Sequence, residues 1–79
     1  VMLRKRWEPL EKRTIGKAPE SYGYYELGDA DGDLVGRGVG VLRDELKEAL
    51  AYGDAERVRW ERATSLDHAE RLADEHDPA

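Results

Sequence analysis

The 79-residue chain contains no cysteine and no phenylalanine, only three prolines, and four lysines against nine arginines. Without thiols there can be no disulfide, no thiolate metal site and no cysteine nucleophile. Without Phe, the interior has to be filled by Tyr, Trp, Leu and smaller aliphatic side chains. No apolar run approaches the ~20 residues of a membrane-spanning helix, and residues 1–10 lack the hydrophobic stretch of a secretory signal. A soluble, cytoplasmic protein with no membrane contact is therefore expected. At this length there is room for one domain, which buries only about 60% of the surface its unfolded chain exposes, so the core must be small.

Charge is plentiful but unevenly placed. The net charge is −5, yet residues 1–18 carry six basic groups against two acidic ones, leaving seven basic and sixteen acidic groups for the rest. An acidic body repels phosphate backbones, so nucleic-acid contact is expected only where the arm (Arg4, Lys5, Arg6) or the strand residues Arg57 and Arg59 supply it. Few lysines, many alanines and dispersed carboxylates suit a halophilic, salt-rich cytoplasm. A GC-rich genome accounts for the Arg and Ala content equally well.

The chain divides into a basic arm at 1–19, a body at 20–76 and a short tail at 77–79. In the arm, Glu8-Pro9 either starts a short helix or belongs to an extended segment lying across a sheet, and Gly16 and Pro19 then force a loop. Tyr22–Leu27 alternates as a strand, with Tyr22 and Tyr24 on one side and Tyr25 and Leu27 on the other. Asp31-Gly32 suits a hairpin turn, after which Leu34 and Val35 return antiparallel. Leu42–Leu50 has the helical spacing of an inward face formed by Leu42, Leu46, Ala49 and Leu50, closed by Gly53 as a left-handed terminator. Arg57–Ala63 reads as a third strand, Val58 and Trp60 inward and Arg57, Arg59 and Glu61 outward. Thr64 or Ser65 caps a last helix whose apolar stripe is Leu66, Ala69, Leu72 and Ala73.

Three short patterns invite chemistry. Asp29, Asp31 and Asp33 are spaced like the first half of an EF-hand loop, but Leu34 stands where Gly is required and Gly40 where a bidentate Glu belongs, so a solvated turn is expected. Gly36-Arg37-Gly38-Val39-Gly40 precedes a helix without either phosphate-loop spacing, and its glycines are expected to let strand and helix pack closely. His68 and His76 lie eight positions apart on one helix, too far to share an ion without further ligands, and are expected at the surface.

The order strand, hairpin, strand, helix, strand, helix, together with these residues, resembles the GIY-YIG endonuclease domain over about residues 22–76. Gly23-Tyr24-Tyr25 sits at the family's first triplet and Gly36-Arg37-Gly38 at its second. LRDELKEAL is similar to the helix that follows and SLDHAERLADEH to the last one. The resemblance implies an α+β fold in ββαβα order, a small three-stranded antiparallel sheet flanked by helices. It also implies metal-assisted phosphodiester hydrolysis by tyrosines, a phosphate-holding Arg and a Glu that binds one divalent cation.

Carried over position by position, Tyr25 matches the first tyrosine. The second tyrosine falls on Gly36, the Arg on Glu45, a His on Ala49 and the metal-binding Glu on Ala73. The expectation is a non-catalytic domain with no cofactor, acting through a protein partner, a sheet-edge homodimer or nucleic acid, with Tyr22, Tyr24, Arg4, Lys5, Arg6, Arg57 and Arg59 as contact candidates. The alternative is a divalent-metal DNA endonuclease with displaced residues, in which Tyr25, Arg43 and Asp74 act with Mg.

Overall fold

The computed structural model describes residues 3 and 5–76; Arg4 of the arm and the tail at 77–79 lie outside the described residues. Its elements in chain order are β1 (Glu8–Pro9), α1 (Lys12–Lys17), β2 (Tyr22–Gly28), β3 (Leu34–Val41), α2 (Leu42–Tyr52), β4 (Arg57–Arg62) and α3 (Leu66–Glu75). The strands form one antiparallel sheet in the order β1-β4-β2-β3. The fold is α+β, with four strands where three were expected. Among the described residues no helix is long and apolar enough to cross a membrane.

The additional strand comes from the arm. Glu8 and Pro9 pair with Val58 and Arg57, and Pro9 is tolerated because β1 is the sheet edge, where a missing N–H costs no ladder bond. Of the two readings of Glu8-Pro9, the extended one describes the chain. A short helix follows it: α1 stops at Ala18, which is extended as the residue before Pro19 should be. Leu10, Ile15 and Ala18 are buried, so residues 8–18 are part of the fold and contribute to its core.

Strand alternation divides the core into two layers. On one face Leu10, Ile15, Ala18, Leu42, Leu46 and Val58 pack together, with Tyr25, Leu27 and Trp60 partly buried against them. On the other, Leu3, Tyr24, Ala63, Ala69 and Leu72 form a second cluster beneath α3. Both faces of the sheet are therefore covered, and this corrects the expectation that Arg59 and Glu61 point to solvent. Arg59 retains only 11% side-chain exposure, and Glu61 is half-buried beside His76.

Several local expectations hold and others shift. The hairpin turn has Gly32 at φ +84, in the left-handed region that glycine accepts freely. Of the two cap candidates Ser65 serves, its Oγ accepting from His68 N–H. Gly53 is not left-handed; it ends α2 in an extended conformation, its N–H still bonded to Ala49 O, because the chain runs straight on toward β4. Leu50 and Leu66, placed on inward faces by spacing, are 37% and 42% exposed, since neither helix is covered along its full length.

Candidate functional site

The resemblance directs attention to Tyr25 and the start of α2. β3 carries glycine at every second position, and three side chains lie flat on that row. A Cβ at Gly36 would stand 3.5 Å from Leu27, one at Gly38 would meet Tyr25 Oη at 2.6 Å, and one at Gly40 would meet Glu45 Cγ at 2.8 Å. The glycines thus lie within the strand as a floor for Tyr25 and Glu45. The Tyr25 hydroxyl donates to Glu45 Oε1 at 3.1 Å. This carboxylate is the tyrosine's own hydrogen-bond partner.

That pairing sets the tyrosine's chemistry. Burial, the charge of Glu45, the hydrogen bond to it and the charge of Glu48 together push the Tyr25 hydroxyl from 10.0 up to about 12. The folded value lies above the unfolded one, so the protonated phenol stabilises the fold fully below about pH 10 and that contribution disappears as pH rises through about 12. An alkaline absorbance titration, taken as wild type minus Tyr25→Phe, should show a step centred near 12. A step near 10 would mean that Glu45 and burial do not hold the proton.

The other residues of the displaced-nuclease alternative do not converge on Tyr25. Arg43 lies about 200° around α2 from Glu45. There its Nε donates to Ala18 O at 3.0 Å and its Nη1 pairs with the Glu20 carboxylate, turning it toward α1. Asp74 is exposed on α3, and α3 packs on the Tyr24 face of the sheet, opposite Tyr25. Ala73, onto which the resemblance would carry a metal-binding residue, packs against that same Tyr24 cluster. The proposed set of Tyr25, Arg43 and Asp74 does not fit a magnesium ion: Arg43 turns toward α1, and Asp74, the acid next to Ala73, lies across the sheet from the tyrosine.

The Tyr24 face holds a constellation that the sequence reading passed over. Register places Glu26 of β2 between Arg59 of β4 and Arg37 of β3. Glu26 is fully buried and accepts from Arg59 Nε at 2.7 Å, from Tyr24 Oη at 2.5 Å and from Leu3 N–H at 3.2 Å to each oxygen. Arg37 Nη1 donates to Tyr24 Oη at 3.2 Å and to Ala73 O at 2.8 Å. Arg59 also bonds Lys5 O at 3.2 Å, and its guanidinium lies 3.9 Å from the Trp7 ring centroid. Trp7 in turn donates to Gly32 O at 3.1 Å.

Burial first, then the Glu26 hydrogen bond, pushes Tyr24 up to about 12, with Arg37 pulling the other way. His76 stacks on the Tyr24 ring, centroids 5.6 Å apart, and approaches Glu61 at 3.9 Å, so it is half-buried instead of lying free at the surface. Among the described residues no buried side-chain nitrogen or oxygen lacks a hydrogen-bond partner. The network is closed on itself: it orders the second core layer and straps the N-terminal segment across it.

The remaining contact candidates separate cleanly. Tyr22 is 42% exposed at the start of β2, whereas Tyr24 is buried. Lys5 and Arg6 are exposed, and Arg57 spends a guanidinium N–H on Ala30 O at 2.7 Å. The carboxylates of Asp29, Asp31 and Asp33 come within 4.8 Å of one another, but Asp29 Oδ1 already accepts the N–H groups of Asp31 and Asp33, each at 2.9 Å. These bonds close the hairpin turn and account for the acidic cluster. His68 Nδ1 accepts Thr64 N–H at the start of α3.

No curated protein and no solved structure matches the chain. One family profile does, and it spans the whole length. The chain belongs to the family described as a domain of unknown function, DUF7508, matched over residues 1–79.

Proposed function

We propose that this domain is a GIY-YIG-like scaffold that works by binding a protein partner and does not cut phosphodiester bonds. The single observation that carries the reading is the Tyr25–Glu45 hydrogen bond. Phosphoryl chemistry needs positive charge beside the tyrosine to hold the developing charge on phosphate. Here the tyrosine's partner is a carboxylate, and burial together with that carboxylate pushes the phenol up to about 12. Under this reading no divalent-metal cofactor is required.

Protein is favoured over nucleic acid by how the arginines are used. Arg59 and Arg37 satisfy internal acceptors, and Arg57 is bonded to a turn carbonyl. Among the described residues, what remains for a polyanion is Lys5, Arg6, Arg62 at the end of β4 and scattered helix residues, on a chain of net charge −5.

The test is incubation of the full chain with supercoiled plasmid and magnesium or manganese, at low and high salt. No nicking above the buffer control is expected, and an immobilised oligonucleotide should release the protein at modest salt. Nicking that disappears in Tyr25→Phe would overturn the reading. So would oligonucleotide retention that survives high salt.

A further inference from the structure

The surface between α1 and α2 was absorbed by none of the readings above. α1 has six residues and α2 eleven, lengths of about 9 and 16 Å at 1.5 Å per residue. The shorter helix cannot cover the longer one, so the apolar face of the last turns of α2 is left uncovered. A groove of about 600 Å³ results, floored by Ile15, Gly16, Leu50 and Ala51. Its rim is basic: Lys12, Arg43 and Lys47.

The rim is unusual for this chain. Acidic residues outnumber basic ones 18 to 13, yet the residues that are charged around the groove are all cations. Among the described residues neither Lys12 nor Lys47 has a hydrogen-bond or ion-pair partner. Arg43 is fixed at the rim by its bonds to Ala18 O and Glu20. Two copies facing each other across this surface would set Lys12 and Lys47 against the same like-charged pair, which disfavours self-association here.

We propose that the α1–α2 groove receives a short acidic amphipathic helix of a partner protein. An apolar floor between two helices accepts side chains at i and i+3 or i+4 of a third, and carboxylates flanking those anchors meet Lys12 and Lys47. A small amphiphile is the poorer fit, because such ligands need most of their surface enclosed, whereas Gly16, Lys47, Leu50 and Ala51 are all exposed. The inference rests on the binding-scaffold reading and names the chemistry of the partner.

The experiment titrates isotope-labelled full chain with a synthetic amphipathic helix carrying Leu along one face and Glu along its flanks. A second peptide keeps the leucines and replaces every Glu with Lys. Amide shifts are expected to concentrate in α1 and at Leu50 and Ala51. The Lys peptide should not bind, and the Lys12→Glu/Lys47→Glu double variant should bind the Glu peptide at least tenfold more weakly. Both lysines are exposed, and an acid at the first residue of α1 suits a helix start, so the variant should fold.

Shifts elsewhere, equal binding of the two peptides, unchanged affinity in the double variant, or binding only to anionic phospholipid vesicles would each overturn the proposal. The plasmid assay run on the same preparation separates the two levels. Nicking removes the scaffold reading itself, whereas intact plasmid with no peptide binding removes only the groove assignment.

Discussion

Glu26→Ala is expected to destabilise the fold by about 3–5 kcal/mol, the range seen when one partner of a buried ion pair is removed. The cost arises because Arg59 keeps its charge under Trp7 with only 11% side-chain exposure, while Tyr24 Oη and Leu3 N–H lose their acceptor. In a domain of this size each kcal/mol moves the melting midpoint by roughly 4–8 °C, so the variant should melt well over 10 °C lower. Urea unfolding followed by Trp fluorescence measures it.

A Glu26→Leu/Arg59→Met double variant provides the control. Replacing both partners with apolar groups of similar volume leaves no orphaned Arg59 charge and should recover that part of the loss, while Tyr24 Oη and Leu3 N–H remain without their acceptor. A Glu26→Ala protein within about 1 kcal/mol of wild type would mean that solvent reaches Arg59 in the folded chain.

Gly23→Ala should be at least as damaging. A methyl group there would stand 2.5 Å from Leu42 Cδ1 and 2.6 Å from the backbone carbonyl oxygen of Glu61. Leu42 is fully buried at the first residue of α2, and Glu61 belongs to the ladder between β2 and β4, so neither can retreat without opening the core or the sheet. A loss of about 3 kcal/mol or more follows from overpacking of this kind. Gly16→Ala is the matching control. Nothing lies within 4 Å of a Cβ at that helical position, and the change should stabilise by about 0.5–1 kcal/mol. If the two variants behave alike, the close approach at Gly23 is not rigid.

These two sites show what could and could not be read before the fold was known. The tyrosine alternation of β2, the inward positions Leu42 and Leu46, and the cap at Ser65 follow from local periodicity and local hydrogen bonding, and they are found where expected. For β1 the extended segment was one of two options, but its pairing was out of reach, because two residues that include a proline carry no strand propensity and are held only by pairing with β4. The polar positions Arg59 and Glu61 were assigned to solvent on the rule that polar alternation marks an open face. That rule fails when α3 and the N-terminal segment cover the face.

The candidate site was half legible. The sequence singled out both Glu45 and Tyr25, but that the two bond directly depends on the glycine row of β3 lowering both side chains onto one floor. Glu26 gave no sign on its own. Its role exists only once three strands are in register.

The strand order β1-β4-β2-β3 carries a consequence for synthesis. Of the described strands, β4 comes last in chain order yet occupies an interior slot, and its neighbour β1 precedes the other three. The β2–β3 hairpin and α2 can therefore gather early, while the edge of β2 that β4 will occupy stays open until the ribosome has delivered residues 57–62. Closure of the sheet is a long-range, late event, so the folding rate should be governed by that final insertion more than by helix formation.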